Sequence, residues 1–274
     1  MRPDATLTSS HNPRFRAALA LREARDRRAT GRILVDGGRE IGRALAAGIQ
    51  GQELWLAPER LRDPEAEAAL AAAEAAGVPF VEATPELLAR LAFGDRDDGL
   101  VLVADAPSTR LADLALPPVA LVGVLEAVEK PGNLGAILRS ADGAGLDALV
   151  VADPRSDPWN PNCIRASLGA VFSVPLAVCS AGEALDWARA RGLHLAAARV
   201  DGSVPYTAAD LTGPLAIVLG SEADGLSPAW SAPDVTAIHI PMRGRADSLN
   251  VSVSAAILFY EALRQRTAAS PEPA

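Results

Sequence analysis

A helix that is apolar on every side must be covered on every side, and the pattern of this chain places one over 249–266. The stretch around it, 237–266, reads AIHIPMRGRADSLNVSVSAAILFYEALRQR. Its apolar and β-branched opening predicts a strand up to residue 240, stopped by Pro241, which has no amide to give to a sheet ladder. A polar loop, 241–247, leads to Ser248, whose hydroxyl is placed to cap the first free amides of the helix. One face of that helix holds Leu249, Val253, Ala256, Tyr260 and Leu263. Val251, Ala255, Leu258 and Ala262 make the other sides nearly as apolar. Charge returns at Glu261, Arg264 and Arg266, with cations in the last turn where the helix dipole favours them. Such a helix is expected to be enclosed by its own domain and by a second subunit as well.

Composition agrees with a folded chain in water. Hydrophobic residues make up 49% and charged residues 22%, which excludes a disordered polyelectrolyte. No apolar run reaches the ~18 residues of a membrane span, and the opening MRPDATLTSS lacks the apolar core of a signal peptide. Cys163 and Cys179 lie in apolar surroundings without CxxC spacing, and are read as reduced thiols of a cytoplasmic protein. Three scattered histidines make no metal site, and His194 and His239 fall inside expected strands. A net charge of −8 is awkward for a nucleic-acid partner, but clustering matters more than the total. Arg14, Arg16, Arg22, Arg25, Arg27, Arg28, Arg32, Arg39 and Arg43 crowd one stretch, opposed there by Glu23, Asp26, Asp36 and Glu40.

Strands and helices alternate along the whole chain. Helices are expected over 14–28, 40–47, 63–76 and 85–91, and strands over 32–35, 53–57, 78–81 and 100–104. That makes an α/β domain of residues 1–105. DAPSTRLADLALPP has prolines and no clear period, so a linker is placed at 106–118. Over 119–274 the alternation strengthens, with strands at 119–125, 147–151, 175–178, 193–198, 215–219 and 235–240. Helices are expected between them at 134–143, 160–168, 183–191 and 249–266. Near-continuous apolar strands such as LAIVLG predict a parallel sheet covered on both faces. Ligands of such sheets bind beyond the strands' carboxyl ends.

Three loops that follow strands gather glycine and polar residues. EKPGNLGAILRSADGAG, 129–145, turns at Gly132 and Gly135 into a helix that buries Leu134, Ile137, Leu138 and Ala141 and points Arg139 outward. It is neither a dinucleotide fingerprint nor a P-loop. LGSEADGLSP, 219–228, brackets Ser221, Glu222 and Asp224 between Gly220 and Gly225. The third loop holds Ser248 and Asn250. Taken singly, each also reads as an ordinary turn with a surface polar residue.

Taken together and in order, NLGAILR at 133–139, LGSEADGLS at 219–227 and IPMRGRADSLNVSVSAA at 240–256 resemble the three motifs of the SpoU family of RNA ribose 2′-O-methyltransferases, in the SPOUT superfamily. IRASLGAVFSVP, 164–175, is similar to the family's arginine-containing segment between the first two motifs. The first hundred residues resemble, more loosely, the L30-like substrate-binding domain of many members. The resemblance implies a small L30e-like α/β domain, then an α/β trefoil-knot domain with a mostly parallel sheet. It also implies S-adenosylmethionine (AdoMet) as cofactor, a homodimer through the C-terminal domain, and no metal. RNA is the implied substrate, with bacterial 23S ribosomal RNA favoured. Transfer RNA is the alternative, as is a non-catalytic RNA-binding or ribosome-assembly role on the same fold.

By position in these motifs, Arg139 is the catalytic arginine, with Asn133, Glu222, Ser248 and Asn250 around it. Ala198, Leu219, Gly220, Ile240, Met242 and Leu249 are expected to hold AdoMet. Arg25, Arg27 and Arg28 are expected to contact RNA, and Arg165 either RNA or the cofactor's carboxylate. The implied in-line transfer needs the hydroxyl aligned with the methyl carbon and relieved of its proton. A guanidinium has no acceptor atom and makes a poor base. Arg139 is therefore expected to grip the target phosphate and stabilise the developing alkoxide, while a phosphate oxygen or water takes the proton. Glu222 is expected to anchor the loops through Asn133 or Arg139.

Overall fold

The computed structural model describes residues 5–93 and 98–269. Its contacts form two compact units, Met1–Pro107 with Asp157–Ser173, and Ser108–Ser156 with Val174–Ala274.

The first unit opens with β1 (Ala5–Leu7), α1 (Pro13–Ala20) and α2 (Ala24–Thr30). The single helix expected over 14–28 is thus broken at 21–23, and an arginine explains why. Arg27 turns back and donates to the carbonyls of Leu21 and Arg22, both at 2.8 Å, close to the end of α1, where helical partners run out. Then follow β2 (Arg32–Asp36), α3 (Gly38–Ala46), β3 (Gly51–Leu56), α4 (Pro64–Ala75), β4 (Phe80–Ala83), α5 (Pro85–Leu91) and β5 (Leu100–Asp105). Asp63 and Thr84 cap α4 and α5, each with proline at the first helical position, where its missing amide costs nothing. The sheet runs β1-β4-β3-β5-β2, parallel except at β5, which is antiparallel to both neighbours. Its core sets Phe15 edge-on to Trp55 at 6.1 Å, among Leu34, Val81, Leu88 and Val101.

The chain continues with β6 (Leu121–Glu126), α6 (Pro131–Ala144), β7 (Ala148–Ala152), α7 (Pro161–Ala166), β8 (Leu176–Cys179) and α8 (Ala181–Ala190). It closes with β9 (His194–Ala198), β10 (Val204–Pro205), β11 (Leu215–Leu219), β12 (Val235–His239) and α9 (Val251–Ala269). All but α7 belong to the second unit. Its seven strands are all parallel, in the order β10-β12-β9-β11-β6-β7-β8. Val122, Val124, Val150 and Val218 pack with Trp230 and with Ala184 and Leu185 of α8. α6 and α9 pack against each other, and Phe259 of α9 reaches the sheet at Gly123. A Cβ at Gly123 would stand 2.6 Å from Leu149 and 3.0 Å from the Phe259 ring, so only glycine fits there.

α9 starts two residues later than its sequence suggests, and its cap is Asn250, not Ser248. The Asn250 Oδ1 accepts from the Ser252 amide at 3.0 Å and the Ser252 hydroxyl at 2.6 Å. The far end is tied down as well. Arg266 donates to the carbonyls of Val119, Ala120, Leu211 and Gly213. Beside it, hydrogen bonding from Arg264 at 2.8 Å pulls the Glu261 carboxyl down to about 2.

The stretch 157–173, expected in the second domain, makes its contacts with the first unit. Arg165 on α7 pairs with Asp36 at 2.8 Å, and Arg27 pairs with Asp157 at 2.6 Å. Burial pushes the Asp36 carboxyl up, against the opposing pull of the Phe93 amide and Arg165. Two of the four arginines expected to contact RNA thus have internal partners. Arg27 is buried and committed to internal partners, and Arg165 has its charge matched by a buried carboxylate. Arg25 and Arg28 are exposed and pair with no described residue. Cys163 is buried and Cys179 half-buried, both free. Burial pushes both thiols up, Cys179 to about 11, which keeps them unreactive.

Candidate active site

Five adjacent strands, β12-β9-β11-β6-β7, end along one edge of the second unit's sheet, and the loops leaving them build the site. Two of those loops begin with a strained residue. Ala127 after β6 and Asp153 after β7 have φ of 53° and 43°, a left-handed backbone that non-glycine residues seldom adopt.

The loops after β9, β11 and β12 line a cavity of about 570 Å³, within the usual range for a small-molecule site. All six residues expected to hold a cofactor lie in its wall: Ala198, Leu219, Gly220, Ile240, Met242 and Leu249. Ser248 lines it too, but its hydroxyl makes no hydrogen bond among the described residues. One wall is the turn 220–225, where Ser221 and Gly225 exchange backbone hydrogen bonds at 3.1 Å. Gly225 supplies the positive φ, and a Cβ on Gly220 would meet the Gly225 carbonyl carbon at 2.2 Å. The turn is held from below by Glu126, a buried carboxylate that accepts from the Ser227 amide and hydroxyl, each at 2.7 Å.

Beside the cavity lies a polar hub. The Asn133 side chain donates to Glu222 Oε1 at 2.9 Å, and Asn250 donates to the same oxygen. Asn250 also reaches Asn133 Oδ1 at 3.4 Å, and Lys130 Nζ stands 3.7 Å from the other Glu222 oxygen. One carboxylate thus ties together the segments that follow β6, β11 and β12. Of the two expected anchors for Glu222, the structure selects Asn133. Arg139 lies further along α6, exposed, with no hydrogen bond or ion pair to any described residue.

The sequence profile of the SpoU rRNA Methylase family matches residues 120–260 of this chain. The chain belongs to the SpoU family. Residues 12–102 of this SpoU protein match the MRM3-like substrate binding domain. A 23S rRNA (uridine(2479)-2′-O)-methyltransferase of Streptomyces viridochromogenes is 33% identical to it over 277 residues, or 96% of this chain and 94% of the relative. Among solved structures, an RNA 2′-O ribose methyltransferase is 42% identical with a TM-score of 0.84, covering 95% of this chain and 99% of the other. A SpoU methyltransferase of Streptomyces viridochromogenes, solved in complex with the cofactor AdoMet, is 31% identical with a TM-score of 0.84, covering 93% and 98%.

The residues of this SpoU protein fit that cofactor. Leu219, Ile240 and Leu249 offer an apolar seat for an adenosyl group, and Glu222 and Asp247 place carboxylates in a wall that would face a cationic sulfonium and ammonium, while Asp201 and Asp224 are paired with Arg199 and Arg155. His239, also in the wall, keeps a buried ring Nδ1 without a partner among the described residues. The sequence reading missed Glu126, Lys130 and Arg155. A charge closing the apolar strand LVGVLE was a usable signal for Glu126. Nothing local marked the other two.

Proposed function

We propose that this SpoU protein methylates a ribose 2′-hydroxyl of 23S ribosomal RNA, with AdoMet as methyl donor. The observation that carries the reading is that Glu222 belongs at once to the wall of the cofactor-sized cavity and to the hub with Asn133 and Asn250. When bound, AdoMet supplies an electrophilic methyl carbon, so the protein's work is positioning, exclusion of water and charge. Leu219, Ile240 and Leu249 exclude water from the adenosyl seat, and Gly220 lets the turn that walls it fold back on Gly225. Asn250, fixed as the cap of α9, and Ser248 at the rim orient the ligand. Arg139, with no partner among the described residues, is free to grip the target phosphate and stabilise the alkoxide that develops on the ribose. The proton passes to a phosphate oxygen or water.

Domain 1–105 serves as the RNA-binding part in this reading, with 106–118 as linker and 119–274 as the methyltransferase domain, apart from the stretch 157–173 that belongs with the first unit. Arg16, Arg25, Arg28 and Arg32 are exposed there without side-chain partners among the described residues, as phosphate contacts require. Among the described residues no helix is long and apolar enough to cross a membrane, and no cluster of acidic, histidine or cysteine groups could hold a metal ion. An rRNA substrate implies a cytoplasmic site of action. The test is ribose-methylation mapping of rRNA from cells with and without the gene, joined to calorimetric titration with AdoMet. A purely RNA-binding role would show no missing methyl group and no heat of cofactor binding.

The same reading takes the protein as a homodimer through α9. Val253, Ile257 and Tyr260 lie on one helix face, and Val253 and Tyr260 are 46% and 50% exposed, an apolar stripe that a second copy would cover. Leu258 is no probe of that face, because it is fully buried in its own chain. Val253→Asp together with Tyr260→Asp is expected to give a folded monomer in sedimentation. A wild-type monomer with full activity would end the dimer proposal.

A further inference from the structure

Arg155 lies three residues beyond β7, outside every motif that carries the family resemblance. Its guanidinium donates to Glu129 and, from its other terminal nitrogen, to Asp224 at 3.1 Å. Glu129 sits on the segment that enters α6, and Asp224 sits on the turn 220–225 that walls the cavity. One side chain therefore spans three loops, those after β6, β7 and β11. Glu129 and Arg155 each follow by two residues a left-handed residue, Ala127 and Asp153, so both loops are aimed by strained backbone. The weaker Lys130–Glu222 contact, at 3.7 Å, joins the first and last of these loops a second time. Without Arg155, two carboxylates within reach of one guanidinium would be left facing each other unpaired. Single exposed ion pairs matter little, but a forked guanidinium closing a three-member network has geometry to lose.

We propose that Arg155 is a positioning residue for the methyl-donor pocket: by holding Asp224 to Glu129 it sets the turn 220–225 against the segment that leads to Asn133 and Arg139. Arg155 is absent from the cavity wall, so it acts through Asp224 and touches neither cofactor nor ribose. The proposal rests on the cavity being the AdoMet site.

The test compares full-length wild type with Arg155→Ala and Arg155→Lys. AdoMet is titrated calorimetrically at about 50 mM and about 500 mM salt, a range over which screening of exposed charges changes severalfold. Arg155→Ala is expected to weaken AdoMet binding about fivefold at low salt, and the gap is expected to shrink at high salt. Arg155→Lys should recover less than half of the loss, since an ammonium lacks the planar fork. Without cofactor, the amides of Asp224 and Gly225 should exchange hydrogen faster in Arg155→Ala, with the melting temperature and RNA affinity unchanged. Equal AdoMet affinity and equal exchange in wild type and Arg155→Ala would overturn the proposal. So would a loss of RNA affinity with AdoMet binding intact, which would make Arg155 an RNA contact. A wild type that bound no AdoMet would fail at the earlier step, the assignment of the cavity, and would take this proposal with it.

Discussion

Replacing Arg139 with alanine is expected to slow methyl transfer about a hundred- to a thousandfold while leaving the fold and AdoMet binding intact. Each part of that expectation has its own ground. The side chain is exposed on α6 and bonded to nothing described, so its loss should shift stability by at most ~0.5 kcal/mol. It is absent from the cavity wall, so cofactor affinity should hold. In the proposed mechanism it serves the charge that develops on the ribose oxygen, the kind of interaction whose removal costs rate and little else. Arg139→Lys should rescue little, because lysine keeps the charge but loses the bidentate fork that matches phosphate. Single-turnover methylation of deproteinised ribosomal RNA separates this from the bland reading of Arg139 as a solvated helix arginine. Near-normal rates in Arg139→Ala would place the chemistry elsewhere.

The parts of this molecule that were legible in its sequence are those governed by local pattern. β11 reads as a strand because LAIVL is buried on both faces, and α6 reads as a helix because Leu134, Ile137, Leu138 and Ala141 fall on one buried side. Five of the six residues expected to hold a cofactor were named from motif positions, Ala198 from the end of a strand, and all six line one space. What escaped was set by partners distant in sequence. Arg27 and Asp157 are 130 residues apart, and Arg165 and Asp36 are 129 apart, so no window of sequence shows that these charges are matched internally. The basic stretch looked like a uniform surface, yet one arginine in it is a core residue. Ser248 and Asn250 both suit a helix cap, and only the geometry of the preceding loop decides for Asn250. Arg155 escaped for the same reason as Arg27: a guanidinium carries no local sign of whether it will meet phosphate or carboxylate.

The second large effect is expected at Arg27, and it is structural. Its guanidinium holds Asp157 at 2.6 Å and two carbonyls between α1 and α2, with 3% of the side chain exposed. Arg27→Met keeps most of the packed stem but leaves Asp157 and those carbonyls without their donor. Breaking one side of a buried pair costs about 3 kcal/mol or more. For a domain of this size that lowers the melting temperature by roughly 6–12 °C. Arg25→Ala and Arg28→Ala, exposed on the same helix and paired with no described residue, should each stay within ~0.5 kcal/mol of wild type. The double variant Arg27→Met with Asp157→Asn removes the stranded charge and keeps an acceptor for the Trp159 amide, which Asp157 Oδ1 receives at 2.9 Å. It is expected to recover more than half of the loss, since the penalty lies mostly in the uncompensated carboxylate. Thermal unfolding of the four variants is the measurement. If Arg27→Met melts with wild type and instead loses RNA affinity with a shallower salt dependence, then Arg27 serves RNA after all and the ion pair with Asp157 opens in solution.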